Sequence, residues 1–592
     1  MSAHGFKTLS SAFLIQVFII AVFAALFGLQ DLSSIQLRQA GIEPELLSTV
    51  GGAFQRYAVW LFLAAMSILL LPLKDRSLFS NPPRRSDLLV YSCLGFFLFV
   101  LVLTRALQFP LSGDDSYIGY RYSYNWANSL GLYFNPGEKL MGMTSHLHLF
   151  ILSVFSRLLR IEDISLISQN FNLFLQICNY YLLFYLGRQL NENRYWALAA
   201  AAVYALSSYQ ISECFFGKES SLVTTLLLLS LFAFHFGREN LRAWLAALLI
   251  LTRPEGGLWL LSNLLISFRK FGLRAWKSWI LPLLFLALFA ALLFYFFGGI
   301  VPHGFIGKSK MYAHRDAFTA FFILLRRFGY GSFCPEFTFP MLDPLFRAAH
   351  LYMALYGGFI AILASLKFLE HPTLRYYTWN AFAFFLLFSL SNPCMFDWYH
   401  CWFSLIPCFL VPELSLRLFT FIKSRPAKLE LLLSCLICFY MGAVQISQLF
   451  TRPTPGLPAV TFYINDSFRR LLIYKEAALY LNSLEKKDKV CAVVELGIFA
   501  YYYKGKVLDL GALVSPEILP YFPVSPEFFM PGSNYAIPIK AINDLKPDYL
   551  LTDGSFGGAG IMKDSEFLKN YKLLKFYDFP LWSKGVYLYE RN

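Results

Sequence analysis

The stretch PLSGDDSYIGYRYSYNWANSLGLYFNPGEKLMGMTSHLH, residues 110–148, places two adjacent carboxylates, Asp114 and Asp115, directly after an apolar run of membrane-spanning length. A Tyr- and Trp-rich amphipathic segment and a turn at Asn135-Pro136-Gly137 follow them. An ionised carboxylate close to a bilayer is costly, so such a pair indicates either a functional site or the polar end of a helix in headgroup water. Position alone leaves both interpretations open.

Composition and hydropathy predict a membrane protein. The 592-residue chain is 57% hydrophobic and only 15% charged, and its apolar runs recur from about residue 12 to about residue 449. Many of these runs approach the roughly 20 residues that a spanning helix needs. We therefore predict a mainly α fold, a polytopic transmembrane helical bundle with about 13 spanning helices. The net charge of +14 collects in alternate loops, which indicates membrane topology and not a nucleic-acid interface.

The distribution of basic residues predicts the orientation. Lys74, Arg76, Arg84 and Arg85 mark a cytoplasmic loop, so the helix at about 88–109 leads outward and the N-terminus lies in the cytoplasm. The apolar piece at about 146–159 is too short to span, and 243–268 is predicted to be a hairpin broken at 252–256 by proline and glycine. The other predicted spans lie at about 12–29, 57–73, 171–187, 195–211, 221–237, 279–298, 350–370, 376–391, 398–416 and 430–449.

The chain divides into three parts by composition. Residues 1–87 contain two N-terminal transmembrane helices and a cytoplasmic loop, and 88–452 form the main transmembrane domain with its large loop at 110–148. From about residue 453 helical and strand patterns alternate, which predicts a small C-terminal α/β domain. The predicted topology places this domain outside the cytoplasm.

Polar groups that are distant in sequence fall on the same predicted outer face. Together they supply a base for an acceptor hydroxyl and cations for a phosphate leaving group. Each also has a structural interpretation. Arg253 and Glu255 would pair with each other and so lower the cost of placing a polar hairpin tip near the membrane. Lys308 and Lys310 would contact lipid headgroups. His146 and His148 lack a third ligand at metal-like spacing. The candidates are Asp114, Asp115, Glu219, Arg253, Glu255, His303, Lys308, Lys310, Asp397, Tyr399 and His400.

The run GDDSYIGYRYSYNWANSLGLYFNPGEKLMGMTSHL resembles the first extracytoplasmic loop of polytopic GT-C glycosyltransferases, in particular the cell-wall arabinofuranosyltransferase type. FFGKESSL, LTRPEG, VPHGFIGKSK and VVELGIFAYYYKGKVLDLGALVSPEI are similar to later stretches of that family. The resemblance covers most of residues 88–592, in order. The chain departs from the family pattern at His303, where Asn is usual, and at Lys218, where Met is usual.

The resemblance implies an integral protein of the bacterial plasma membrane that moves a sugar from a polyprenyl-phosphate donor to an extracytoplasmic glycan or glycolipid acceptor. Asp114 becomes the favoured base, and Asp115 orients the acceptor or a divalent cation; no other cofactor is implied. Arg253, Lys308, Lys310 and His303 become candidates for the donor phosphate. The predicted substrate-binding residues are Tyr120, Arg121, Glu219, Glu255, Asp397, Tyr399 and His400.

Two other functions compete with a glycosyltransferase. A polytopic transporter or flippase of a lipid-linked or polar substrate would use its buried acids to relay protons or bind cargo without breaking a bond. The polar groups lie mainly at one face and no inverted repeat is visible, which disfavours this alternative. A phospholipid-headgroup transferase would need a metal cluster or a hydroxyl nucleophile, neither of which the sequence indicates.

Overall fold

The computed structural model describes residues 111–333, 370–421 and 466–592, together with residues 358, 362, 363 and 366. Short gaps interrupt these ranges at 192–193, 206, 314–315, 317, 485–488, 530–534, 555, 557, 562 and 579–584. The predicted spans at 12–29, 57–73, 88–109 and 430–449, and nearly all of the one at 350–370, lie outside the described residues.

The large loop of the sequence begins with a helix. The two aspartates open α1 (Asp114–Ala127), where carboxylates in the first turn interact favourably with the helix dipole. After the turn at residues 135–137, α2 (His146–Leu159) covers the short apolar piece. Asp163 caps the long helix α3 (Ile164–Leu190) by accepting a hydrogen bond from the Leu166 N–H at 3.2 Å.

Glycine and proline divide the next apolar runs into short helices. They are α4 (Arg194–Ala205), α5 (Ser208–Phe216), α6 (Ser220–His235), α7 (Glu239–Thr252), α8 (Gly256–Phe271), α9 (Trp276–Phe297), α10 (His303–Met311), α11 (Thr319–Phe333), α12 (Pro372–Ser391) and α13 (Ile406–Phe421). Gly217 has φ +75° and ends α5. The chain breaks at Arg253-Pro254-Glu255 between α7 and α8, at the predicted hairpin.

The predicted bundle of about 13 spanning helices is wrong for the described part of the chain. Among the described residues, only the stretch Gly256–Phe297 is long and apolar enough to cross a membrane. Only 6% of its most apolar 18-residue segment is buried. The predicted span at 221–237 forms a helix of 16 residues, about 24 Å long against a hydrocarbon core of about 30 Å. The span at 171–187 carries buried Asn172, Gln176 and Asn179, which lower its hydropathy.

A five-stranded sheet and several helices form the C-terminal domain. The elements are α14 (Asp466–Ser483), β1 (Val490–Val493), α15 (Leu496–Tyr502), β2 (Lys506–Asp509), α16 (Ile539–Leu545), β3 (Tyr549–Asp553), α17 (Gly558–Ile561), α18 (Ser565–Asn570), β4 (Tyr571–Tyr577) and β5 (Val586–Arg591). The strand order is β2-β1-β3-β5-β4. β1 pairs in parallel with β2 and β3, whereas β5 pairs antiparallel with β3 and β4.

The segments that follow β1 and β2 contact the first loop, because Gly497 and Ile498 bind Asp114, and Leu513 and Val514 lie against Gly142. One buried apolar cluster joins Tyr117 and Phe134 of that loop to Ile498, Val507 and Leu513 of the C-terminal domain. In sheets with parallel strands, the loops that leave the carboxyl ends commonly form binding crevices. The C-terminal domain is therefore packed onto the part of the chain that carries the candidate site.

Candidate active site

A cavity of about 540 Å³ lies between the first loop, the helical part and the C-terminal domain. It is bounded by α1, the turn before α2, the breaks before α6 and α8, α10 and the segment around residue 398. Its polar and aromatic lining residues are Asp115, Ser116, Tyr120, Thr144, Ser145, His148, Lys218, Glu219, Arg253, Glu255, Phe305, Lys308, Ser309, Tyr312, Ser391, Asn392, Trp398 and Tyr399.

Asp115 is bound by two lysines at the cavity wall. The Nζ atoms of Lys218 and Lys308 each lie 3.2 Å from its Oδ2. The indole of Trp398 lies against both cations, with its ring centroid 3.0 Å from Lys218 Nζ and 5.2 Å from Lys308 Nζ. The Asp115 side chain is 32% exposed and Lys308 is 26% exposed, so a ligand in the cavity can reach this cluster.

The two lysines control the ionisation of Asp115. Burial disfavours the charged carboxylate, but the attraction of Lys218 and Lys308 outweighs it and holds the pKa of Asp115 well below its usual range. Burial also opposes the charge of Lys308, and Asp115 reverses that effect and raises the pKa of this lysine. Burial lowers the pKa of Lys218, and the attraction of Asp115 only partly offsets this effect. With both lysines protonated, the cluster has one negative and two positive charges, an excess that favours an anionic ligand.

Asp114 faces the C-terminal domain instead of the cavity. Its two carboxylate oxygens accept hydrogen bonds from the N–H groups of Gly497 at 3.0 Å and Ile498 at 2.9 Å. Burial raises the pKa of Asp114 to about 6 against the lowering effect of these two hydrogen bonds. The Asp114 carboxylate is therefore directed away from the cavity, and this position does not support the prediction that Asp114 is the acceptor-activating base. Asp115 lines the cavity and is better placed for that role.

Arg253 links two glutamates in a buried triad. Its Nη1 donates to Glu219 Oε1 at 2.6 Å, its Nη2 donates to Glu255 Oε1 at 2.8 Å, and its guanidinium lies over the Tyr399 ring. Burial opposes the guanidinium charge, but the two carboxylates outweigh it and raise the pKa of Arg253 well above its usual range. Since both of its ends are bound to carboxylates, Arg253 positions Glu219 and Glu255, and the predicted contact with a donor phosphate is disfavoured.

His148 places a buried imidazole at the cavity wall. The residue is 2% exposed, and its Nε2 has no hydrogen-bond partner among the described residues. Glu255 also lines the cavity, and its buried Oε2 likewise has no partner within the described part of the chain, although Arg253 holds the side chain in place. Burial lowers the pKa of His148 to about 4, so the ring is neutral near pH 7.

We expect His148→Phe to make folding stability less dependent on pH. Between its ordinary pKa of 6.5 and about 4, the unfolded chain binds a proton that the folded protein excludes. The stability of the wild-type protein therefore falls as pH decreases through this window, by up to about 3 kcal/mol from this group. Denaturant unfolding of the full chain at pH 7.5 and pH 5 measures the difference. Equal losses of stability in both proteins would contradict the expectation.

The other predicted residues lie in several environments. Tyr120, Glu219, Glu255, Lys308 and Tyr399 line the cavity together with Asp115. Lys310 is exposed outside the cavity wall, and His303 binds the first loop through its backbone, whose N–H donates to the Met141 carbonyl at 2.7 Å. His400 is buried with its ring against Tyr209. The side chain of Asp397 lies outside the described part of the chain.

The aspartate pair does not form a joint metal site. Asp114 is directed to two backbone N–H groups and Asp115 to two ammonium groups, so their carboxylates have different partners. Among the described residues, no group of three or more His, Cys, Asp and Glu side chains is arranged to hold a metal ion. The residues present therefore do not fit the divalent cation that the resemblance allowed.

Several motif residues of the first loop bind the C-terminal domain. Arg121 donates from Nε to the Phe134 carbonyl at 2.8 Å and from Nη1 to the Ala500 carbonyl, so it lies away from the cavity. Asn135 donates to the Val507 carbonyl at 2.9 Å and accepts from the Val507 N–H at 3.1 Å. Glu138 pairs with Lys506 at 2.7 Å.

Loop 511–514 of the C-terminal domain completes the cavity wall. Asp509 accepts hydrogen bonds from the N–H groups of Gly511 at 2.8 Å, of Leu513 at 2.5 Å and of Val514 at 3.0 Å. The loop held in this way contributes Leu513 to the lining. A Cβ on Gly307 would overlap the Ala512 carbonyl, so α10 and this loop are in close contact.

Sequence reasoning missed Lys218, Trp398 and His148 as cavity residues. Lys218 stood out only as a departure from the family pattern, and a basic residue at that position was the available signal. In the sequence, His148 stood out only as an incomplete metal ligand, and nothing singled out Trp398 as a cavity residue. Their convergence depends on the packing of α2, α6 and the segment at 398, which the sequence does not specify.

The comparisons with known proteins concern the C-terminal domain. A family model described as a domain of unknown function, DUF8728, matches residues 465–589. A search of curated proteins gives no match to the chain. The matched segment contains β1 to β4, most of β5, Gly497 and Leu513, and so includes the surface that contacts the first loop and the cavity.

Proposed function

We propose that the protein is a membrane glycosyltransferase that moves a sugar from a polyprenyl-phosphate donor to a glycan or glycolipid acceptor outside the cytoplasm. The observation that carries the proposal is the Asp115–Lys218–Lys308 cluster at the wall of a cavity large enough for a sugar. The cluster combines a carboxylate, which can take a proton, with two cations, which can hold a phosphate. The resemblance of residues 110–148 to the GT-C first loop agrees with it.

A lipid-borne donor is supported by the exposed apolar side chains of α9 and α10. Leu281, Leu288 and Phe294 of α9 are each more than 60% exposed, and the following Val301 is 61% exposed. Phe305 of α10, the helix that follows α9 in the chain, is 42% exposed and lines the cavity. Large exposed apolar surfaces are typical of sites that contact membranes or proteins. A prenyl chain on this surface would bring its phosphate to Lys308.

In the proposed step, the acceptor oxygen bonds to the anomeric carbon while the bond from that carbon to the phosphate oxygen breaks. The phosphate leaves with the electron pair, and the acceptor proton passes to the Asp115 carboxylate. A bound phosphate competes with Asp115 for Lys218 and Lys308, which weakens the two ion pairs that lower the pKa of Asp115. Donor binding therefore makes Asp115 a stronger base and places the cations at the leaving group.

The test is transfer by the full chain reconstituted in lipid vesicles with a panel of radiolabelled polyprenyl-phosphate sugars. The proposal predicts that label appears in an acceptor extracted from the source membrane while free polyprenyl phosphate is released. Label that crosses the bilayer on an intact donor lipid would favour a flippase instead. Mass analysis of the glycans from a deletion strain then identifies the sugar that is missing.

We expect Lys218→Met to weaken donor binding by about 10- to 100-fold, because a hydrogen bond between charged groups contributes about 1.5–3 kcal/mol. Removing one ammonium also raises the pKa of Asp115, since only Lys308 remains to lower it. Equilibrium binding of farnesyl phosphate to the full chain measures the loss. Lys310→Gln is the matched control, because Lys310 is exposed outside the cavity wall. Equal affinity of the wild-type protein and Lys218→Met for farnesyl phosphate would show that Lys218 does not bind the phosphate.

A further inference from the structure

We propose that His148 and Glu255 form a hydroxyl-recognition subsite in the same cavity, which binds the sugar part of the substrate. The inference rests on the proposed function and extends it, because the lysine cluster accounts for a phosphate and leaves the sugar without a partner. His148 and Glu255 both line the cavity, and each has one buried polar atom, Nε2 and Oε2, without a hydrogen-bond partner among the described residues. A buried polar atom without a partner costs about 1–3 kcal/mol, so a ligand that satisfies it gains affinity.

The side chains around these two atoms are fixed before a ligand arrives. The second oxygen of Glu255 accepts a hydrogen bond from Arg253 at 2.8 Å, which holds the carboxylate in one orientation. Arg253 is 3% exposed and also binds Glu219, so the triad is rigid and largely shielded from water. The His148 ring is buried beside Phe171, at 6.2 Å between ring centroids. Preorganised groups of this kind recognise a ligand at low entropic cost.

The chemistry of the two atoms favours a hydroxyl group. An ionised Glu255 can only accept a hydrogen bond, whereas a neutral His148 can donate or accept at Nε2, depending on its tautomer. A hydroxyl both donates and accepts, so it can satisfy either atom. A phosphate is repelled by Glu255 and Glu219, whose two negative charges exceed the single positive charge of Arg253. The triad therefore separates a sugar region from the phosphate region at Lys218 and Lys308.

Binding of two kinds of probe to the full chain in detergent tests the subsite. Farnesyl phosphate carries no sugar hydroxyls, whereas its conjugates with arabinofuranose and mannose carry several. We expect at least one conjugate to bind the wild-type protein more tightly than farnesyl phosphate does. His148→Phe should weaken that conjugate by about 3- to 10-fold, the value of one neutral hydrogen bond, and leave farnesyl phosphate unchanged. Glu255→Gln should weaken the conjugate by about 10-fold in the same selective way.

His146→Phe is the matched control, because His146 lies in the same turn of α2 and its Nε2 contacts the Met141 sulfur at 3.2 Å, outside the cavity wall. If His148→Phe weakens both probes equally, or neither, the subsite is overturned and the donor site stands. The same conclusion follows if the wild-type protein binds every conjugate no better than farnesyl phosphate. If the wild-type protein binds none of the probes, the polyprenyl-phosphate donor fails, and the inference fails with it.

Discussion

Replacing Asp115 with Asn should lower the turnover of sugar transfer by about 100- to 10,000-fold, the usual contribution of a general base. The amide keeps the shape of the side chain but cannot take the acceptor proton. Donor affinity should stay the same or rise, because Lys218 and Lys308 lose the carboxylate that competes with phosphate for them. Single-turnover transfer and equilibrium binding of a farnesyl-phosphate sugar measure the two quantities separately.

Asp114→Asn is the comparison that decides between the two carboxylates. An asparagine can accept only one of the two N–H groups that Asp114 now accepts, and its amide nitrogen would face the other. We therefore expect Asp114→Asn to lower the stability of the contact with the C-terminal domain while folded molecules retain transfer. Normal turnover in Asp115→Asn, with turnover lost in a stably folded Asp114→Asn, would reverse the assignment.

The difference between the two aspartates shows what a local pattern can predict. Adjacent residues on a helix point about 100° apart, so one cavity wall accommodates Asp115 and leaves Asp114 directed elsewhere. The sequence identified the pair as functional candidates, but the choice between them depends on where α15 packs. Gly497 and Ile498 are distant from the pair in the chain, so no local pattern near the aspartates indicated which of them would bind α15.

The same reasoning applies to the fold. The break at 253–255 and the helix at 146–159 follow from proline, glycine and the length of an apolar run, which are local signals. Within the described ranges, apolar runs alone overestimated the number of spans, because a helix buried in a protein core can be as apolar as a membrane helix. The polar residues of α3 and the glycine that ends α5 were the available evidence against full spans.

The motif of the first loop has a role that its sequence did not indicate. Arg121, Asn135 and Glu138 lie in the stretches that carry the family resemblance, and each binds the C-terminal domain. Only the fold reveals this, since their partners are backbone groups and a lysine between 500 and 507. The matched domain of unknown function is thus attached to the candidate active site by several separate contacts, and it supplies Leu513 to the cavity.

Replacing Gly497 with Ala should therefore separate the C-terminal domain from the first loop and abolish transfer. A Cβ at this position would overlap the backbone carbonyl of Asp114, which cannot move without shifting the start of α1 and Asp115 with it. Overpacking of this kind costs about 1–3 kcal/mol, and displacement of α15 also breaks both hydrogen bonds to the Asp114 carboxylate.

Hydrogen exchange measures the separation directly, because the N–H groups of Gly497 and Ile498 should lose protection in Gly497→Ala while the strands of the sheet keep theirs. Gly257→Ala is the matched control, since a Cβ there meets nothing within 4 Å and the residue lies inside a helix, where alanine is favoured. Transfer at the wild-type rate in Gly497→Ala, with both amides exposed to exchange, would show that the cavity works without the docked domain. Loss of transfer together with loss of protection would show that the positions of α1 and Asp115 depend on that contact.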